Sequence, residues 1–227
     1  MSQGITSLSN KKERMYDNGL GTIISARMYN LVIGAVIFYG VAVNALMCRY
    51  MAPLFYSMNW LVLLIGYFVL CMVGISITYK SRNPLVSFAG YNLVVVPIGA
   101  VLSVALQGYP SAVIFEAFVI TAGITLTMMF VSSLIPGTFA GMGRMLFVAL
   151  LGLLVAQLIC MLFGIYPQII SYAAAVIFSL YIGYDWVKAQ MYVKTVDNAV
   201  DSALDIYLDI INLFLRILAI VGNRDNR

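Results

Sequence analysis

The forty residues Met145–Tyr184, MLFVALLGLLVAQLICMLFGIYPQIISYAAAVIFSLYIGY, contain no Asp, Glu, Lys or Arg. A helix crossing about 30 Å of hydrocarbon needs roughly 20 apolar residues at about 1.5 Å each, so this stretch has room for two spans. The breaker run Gly164-Ile165-Tyr166-Pro167 parts them. Outward from here the same pattern repeats. No charged residue falls between Arg49 and Lys80, between Arg82 and Glu116, or between Glu116 and Arg144. The run after Arg82 closes its span near Gly108-Tyr109-Pro110, because proline disfavours helix in the residue before it. The expected spans are Tyr29–Cys48, Met58–Tyr79, Leu85–Leu106, Ala112–Leu134, Met145–Phe163, Ile169–Val187 and Ala203–Val221. Long continuous apolar runs argue against a strand barrel, which reads as alternating segments of about ten residues. The fold class is therefore an all-α integral membrane protein, a seven-transmembrane-helix bundle with short loops between antiparallel neighbours.

Composition points the same way. The 227 residues are 63% hydrophobic and 10% charged, without a histidine, and the mean hydropathy is +0.97. Soluble domains average about 25% charged residues, so water-soluble enzymes, nucleic-acid modules and disulfide scaffolds are poor readings. Without histidine there is no Ser-His-Asp triad, no Cys-His dyad and no usual zinc or haem ligand. The excess of 13 Lys and Arg over 9 Asp and Glu is too small for a surface that tracks nucleic-acid phosphates, and reads instead as topology. Lys11, Lys12, Arg14, Arg27, Lys80, Arg82, Arg144, Lys188 and Lys194 share one side if the N-terminus is cytoplasmic; Arg49, Arg224 and Arg227 take the other. The expected organisation is a cytoplasmic N-terminal arm over residues 1–28, one membrane domain over 29–221 and a short tail over 222–227. The arm lacks a cleavage site and is not a secretory signal. An even number of crossings stands as the alternative if the last helix re-enters.

Smaller features read as packing. Cys48, Cys71 and Cys160 are scattered through apolar runs and form no redox motif. Gly34, Gly40, Gly66, Gly74 and Gly152 suit close helix approach. Trp60, Trp186, Tyr29, Tyr109 and Tyr166 fit interfacial belts.

Ionisable residues inside hydrocarbon carry the functional information, since each costs several kcal/mol unless it meets a partner or a cavity. Glu116, Asp185, Asp209 and Arg216 fall within expected spans, with Asp205 at the entrance of the last. Asp201, Asp205 and Asp209 recur every four residues and so stack on one helical face. Arg216 and Asn212 extend that stripe. Asp201 reads as solvated ahead of the membrane; Asp205 is either solvated or part of the stripe. Asp185 lies three residues, about 4.5 Å, from Lys188, and Asp209 about 7.5 Å inside the same face. At those depths the two carboxyl groups can meet; the other reading of Asp185 is a side chain that snorkels onto Lys188 or backbone. Glu116 sits near the opposite surface, either drawing cations to a mouth or bonding to Tyr91 or Gln157. Arg216 either counter-charges the stripe or snorkels to a headgroup.

The run Ala203-Leu204-Asp205-Ile206-Tyr207-Leu208-Asp209-Ile210-Ile211-Asn212-Leu213-Phe214-Leu215 resembles the last helix of the Bax inhibitor-1 family, the transmembrane Bax inhibitor motif proteins. Tyr184-Asp185 is similar to the penultimate helix of that family, and Phe115-Glu116-Ala117-Phe118 to its fourth. The resemblance implies seven helices with the last one central, and a pH-sensitive calcium leak. It implies that Asp185 and Asp209 form the pH-sensing pair of the bacterial members, and that a basic residue in Lys80-Ser81-Arg82 latches that pair. The chain departs from the family in lacking an acid in the second span and in carrying Arg216 in the last.

On this reading the two carboxyl groups titrate as a coupled pair. A shared proton holds the gate shut; its loss parts the last two helices and frees hard oxygen ligands, Asp185 and Asp209, for calcium. Calcium or another cation is cargo, and no resident cofactor is expected. Glu116, Asp205 and Asn212 would line the pore or its mouth, and Lys80, Arg82 and Arg216 would supply counter-charge. The alternative is a non-transporting regulator that binds a membrane quality-control protease. An intramembrane aspartyl protease needs Gly-x-Gly-Asp, whereas Ile206-Tyr207-Leu208 precedes Asp209, so no enzyme is expected. Partners are cations, the lipid bilayer and a membrane protein such as that protease, not nucleic acid. The expected location is a bacterial plasma (inner) membrane with a cytoplasmic N-terminus; eukaryotic relatives would favour the endoplasmic reticulum.

Overall fold

Local sequence sets several helix starts. Ser25 has extended backbone and its hydroxyl accepts from the Met28 amide, which starts α1 (Ala26–Tyr50). Asn59 and Asn83 cap α3 (Trp60–Lys80) and α4 (Pro84–Ala105) in the same way, accepting from Leu61 and Leu85. Between α1 and α3 lies one helical turn, α2 (Ala52–Tyr56). The chain continues through α5 (Ser111–Leu134), the short α6 (Pro136–Gly141), α7 (Gly143–Leu162), α8 (Gln168–Met191) and α9 (Val196–Asp225). This computed structural model describes residues 22–165 and 167–225. Among those residues the only β pairing is an isolated bridge between Ile23 and Thr195.

The class is all-helical, as expected. Six helices (α1, α3, α4, α5, α7 and α8) are long and apolar enough to cross a membrane. The seventh expected span falls within α9, which is not one of the six and is the most polar of the long helices. Short helices α2 and α6 occupy stretches read from sequence as loops; each carries proline in its first turn, where a fixed φ and a missing N–H cost nothing.

The ends of the last helix differ most from expectation. It begins at Val196 rather than Ala203 because Thr195 caps it, its hydroxyl accepting from the Asn198 amide at 3.2 Å. It runs through Asp225, so residues 222–225 of the expected tail are helical. The end of the expected arm is tied down too: the Ile24 amide donates to the Lys194 carbonyl at 2.8 Å. Lys11, Lys12, Arg14, Tyr166 and Arg227 lie outside the described residues.

The chain divides into two compact units. The first joins the chain up to Gln107 with Met191–Leu204. In it α3 and α4 meet at Gly74 and Gly90: a Cβ on Gly74 would stand 2.6 Å from the Gly90 carbonyl oxygen. Only glycine permits that approach. Gly34 and Gly66, by contrast, have nothing within 4 Å of a built Cβ and separate no helices, and the same holds for Gly152 in the other unit. Beside the Gly74–Gly90 contact, the Ser87 hydroxyl donates to Asp197 at 2.7 Å. Tyr29 is fully buried, its hydroxyl 3.0 Å from Ser202 Oγ, so it belongs to the core rather than an interfacial belt.

The second unit comprises Gly108–Gln190 and Asp205–Arg227. Its helix reversals need two left-handed residues, Gly108 (φ 96°) and Gly164 (φ 64°). After α7 the Gly164 amide donates to Met161 and the Ile165 amide to Cys160, a Schellman closure that ends the helix where the breaker run predicts. On α7 only Leu146 and Leu153 are buried, leaving an apolar surface suited to lipid.

Candidate functional site: an acidic pair at the end of helix α8

Asp185 stands in the penultimate turn of α8, and three contacts within the second unit fix that turn. Trp186 Nε1 donates to Ser133 Oγ of α5 at 2.8 Å. A Cβ on Gly183 would fall 2.5 Å from the Phe139 ring of α6, and a Cβ on Gly143, at the start of α7, 2.6 Å from the Tyr184 hydroxyl. Gly183 is thus a packing residue. Three neighbouring elements hold the backbone on either side of Asp185, which sets the direction of its carboxyl group.

That carboxyl group lies within hydrogen-bonding reach of Asp209 on α9. Asp209 is 8% exposed, and no donor reaches its Oδ2 among the described residues. Two carboxyl oxygens can bond only when a proton lies between them, because an ionised carboxylate accepts and never donates. Lys188 provides the positive charge: its Nζ lies 3.2 Å from Asp185 Oδ1 and 3.3 Å from Asp205 Oδ2. It also sits 5.7 Å from the centre of the Tyr184 ring. Asp185, Lys188, Asp205 and Asp209 therefore form one cluster, with a single ammonium spanning α8 and α9. Among the described residues no three acidic or thiol side chains converge as a preformed metal site.

Asn212, Arg216 and Glu116 make other contacts within this unit. Asn212 donates its amide to the Leu208 carbonyl of its own helix at 2.8 Å. Arg216 donates to Gln157 Oε1 of α7 at 2.9 Å. Glu116 pairs with Arg224 at 2.6 Å, both substantially exposed, while Gln157 accepts from Arg216. Lys80 ends α3 and Arg82 lies in the turn beyond it, both exposed and both in the first unit.

Two acids were read differently or missed. Asp201 is 3% exposed rather than solvated, because every residue from 198 to 204 is buried by what packs around the start of α9. Asp197, which takes the Ser87 hydrogen bond, extends the four-residue spacing of Asp201, Asp205 and Asp209 back by one step, the one signal in the sequence that marks it. Near it, in the loop before α9, Lys194 lies over the Tyr29 ring at 4.6 Å, and burial holds its amine below the usual lysine range.

Residues 22–226 match the family described as inhibitor of apoptosis-promoting Bax1 (Bax1-I). The chain is 43% identical over 86 residues to an uncharacterized protein of Helicobacter pylori, covering 37% of this chain and 36% of that one. It is 30% identical over 135 residues to an uncharacterized membrane protein of Streptococcus pyogenes, covering 56% and 59%. The inner membrane protein YbhL of Escherichia coli K12 is 32% identical over 139 residues, covering 56% and 58%. The chain thus spans between about a third and three fifths of the length of these relatives.

Proposed function

The chain belongs to the Bax inhibitor family, and from that premise we propose that it is a pH-sensitive cation leak pathway for calcium, gated by Asp185 and Asp209. The observation that carries this reading is the reach between those two carboxyl groups on adjacent helices. With one proton shared, the bond draws α8 and α9 together. When the proton leaves, two like charges face each other; a pair of unit charges at about 4 Å repels by about 4 kcal/mol at an effective dielectric of about 20. That is a factor of roughly a thousand in a two-state equilibrium. The parted oxygens then present the hard, negative surface that calcium prefers.

Lys188 sets how readily this happens, since its charge lies on Asp185 and Asp205. Asp205 and Asp209 line one face of α9, which serves here as the seventh and central crossing helix. The buried residues Asp209, Ile211, Leu213, Ile217 and Leu218 cover more than half its circumference at about 100° per residue, which supports that role. Glu116 marks the far mouth. The basic residues gathered on one side and the inner-membrane location in YbhL's name support a bacterial inner membrane with a cytoplasmic N-terminus.

Calcium flux into liposomes across pH 6 to 8, wild type against Asp209→Asn, tests the reading. Wild-type flux rises with pH, and the asparagine variant loses that dependence. An unchanged pH profile removes Asp209 from the gate.

A further inference from the structure

Arg216 lies two turns beyond Asp209, and its bond to Gln157 Oε1 occupies the one strong acceptor in the pair. What remains are donors. Gln157 Nε2 and Arg216 Nε are both sealed from solvent with no hydrogen-bond partner among the described residues. The other acids whose side chains are described in this unit are engaged elsewhere. Glu116 holds Arg224 at 2.6 Å, and Asp185 and Asp205 hold Lys188 at 3.2 and 3.3 Å. Asp209 lies beside Asp185, seven residues or about 10.5 Å back along α9. The pair therefore carries a positive charge without a described counter-ion.

The chemistry that completes such a pair is an oxyanion. A guanidinium presents N–H donors in a planar fork that matches two oxygens of a phosphate, and the amide of Gln157 adds a third donor beside it. The two sealed donors belong to side chains that reach the surface elsewhere. Arg216 and Gln157 are both part exposed, and around Gln157 the side chains of Leu154, Leu158 and Met161 face outward at 53–59% exposure. Gln157 is also five residues, about 7.5 Å, from the end of α7, close to where a headgroup phosphate would lie. We propose that Arg216 and Gln157 form a binding site for a phosphate group, distinct from the aspartate cluster and independent of its gating.

The test uses the full-length protein in mild detergent and reads its melting temperature and ligand-bound mass. The probes are phosphatidylglycerol, inorganic phosphate, and diacylglycerol as a lipid without phosphate. A saturable rise with phosphatidylglycerol alone assigns the phosphate to lipid; a rise with inorganic phosphate assigns it to a free ion, and either supports the site. Gln157→Glu supplies the missing acceptor within the chain, so it should melt higher without ligand and lose the response. Arg216→Met should bind at least tenfold more weakly. If Arg216→Met does not fold, Gln157→Glu decides alone. Equal stabilisation by diacylglycerol, no saturable response to either phosphate probe, or a full response in Gln157→Glu overturns the proposal. None of these readings involves ion flux, so a failed gate and a failed phosphate site are told apart.

Discussion

Replacing Lys188 with methionine keeps the length of the side chain and removes its charge. The ammonium lies 3.2 Å from Asp185 and 3.3 Å from Asp205. At 3.2 Å a unit pair attracts by about 5 kcal/mol at an effective dielectric of about 20 and about 1.3 kcal/mol at 80. The Lys188 side chain is 29% exposed and that of Asp185 11%, so screening by water lowers the upper figure, and about 2 kcal/mol is the working value. The shut pair, with one shared proton, keeps a single negative charge and the open pair has two, so the ammonium favours the open pair by its attraction to the second charge. Its loss therefore moves the gate toward the shut state. At about 1.36 kcal/mol per pH unit, the pH of half-maximal flux rises by about 1.5 units. Lys188→Arg, which keeps the charge, shifts it by much less. The assay is calcium release from liposomes at matched protein density, titrated from pH 6 to 9. A midpoint in Lys188→Met that stays within about 0.3 units of wild type, or falls, refutes the assignment of Lys188 as the counter-charge of the gate. So would an equal shift in Lys188→Arg, since that would trace the effect to packing.

Two further outcomes bear on the scaffold. Gly90→Ala places a Cβ 2.8 Å from the Gly74 carbonyl oxygen and from the Thr78 amide nitrogen. Both obstacles are backbone, so α3 and α4 must separate, at a cost of about 1–3 kcal/mol, read as a lower melting temperature in detergent; an unchanged melt would show that the crossing yields without strain. Thr195→Ala removes the cap of α9 and costs about 1 kcal/mol, while Thr195→Ser restores it, and equal melts for both variants would remove the cap from consideration.

The length of the uncharged runs determined, without any coordinates, that the chain is built from membrane-length helices. This follows because the bilayer forces each segment to satisfy its own backbone, which makes the helix a local decision. The same holds for the end of α7, which falls at the breaker run Gly164-Ile165-Tyr166-Pro167. Matching of depths along two helices was enough to nominate Asp185 and Asp209 together, because rise per residue is constant. Tertiary structure alone decided the rest. Whether an acid near a helix entrance is wet or buried depends on what packs around it, so Asp201 was misread and Asp197 unread. Gly34, Gly66 and Gly152 look like Gly74 in sequence, yet only Gly74 has a second backbone against it. Which cation meets the acids is likewise a matter of three-dimensional placement: Lys188 reaches Asp185 and Asp205, and Arg216 is left facing Gln157. Periodicity records which face of a helix a residue occupies, but not which helix stands opposite.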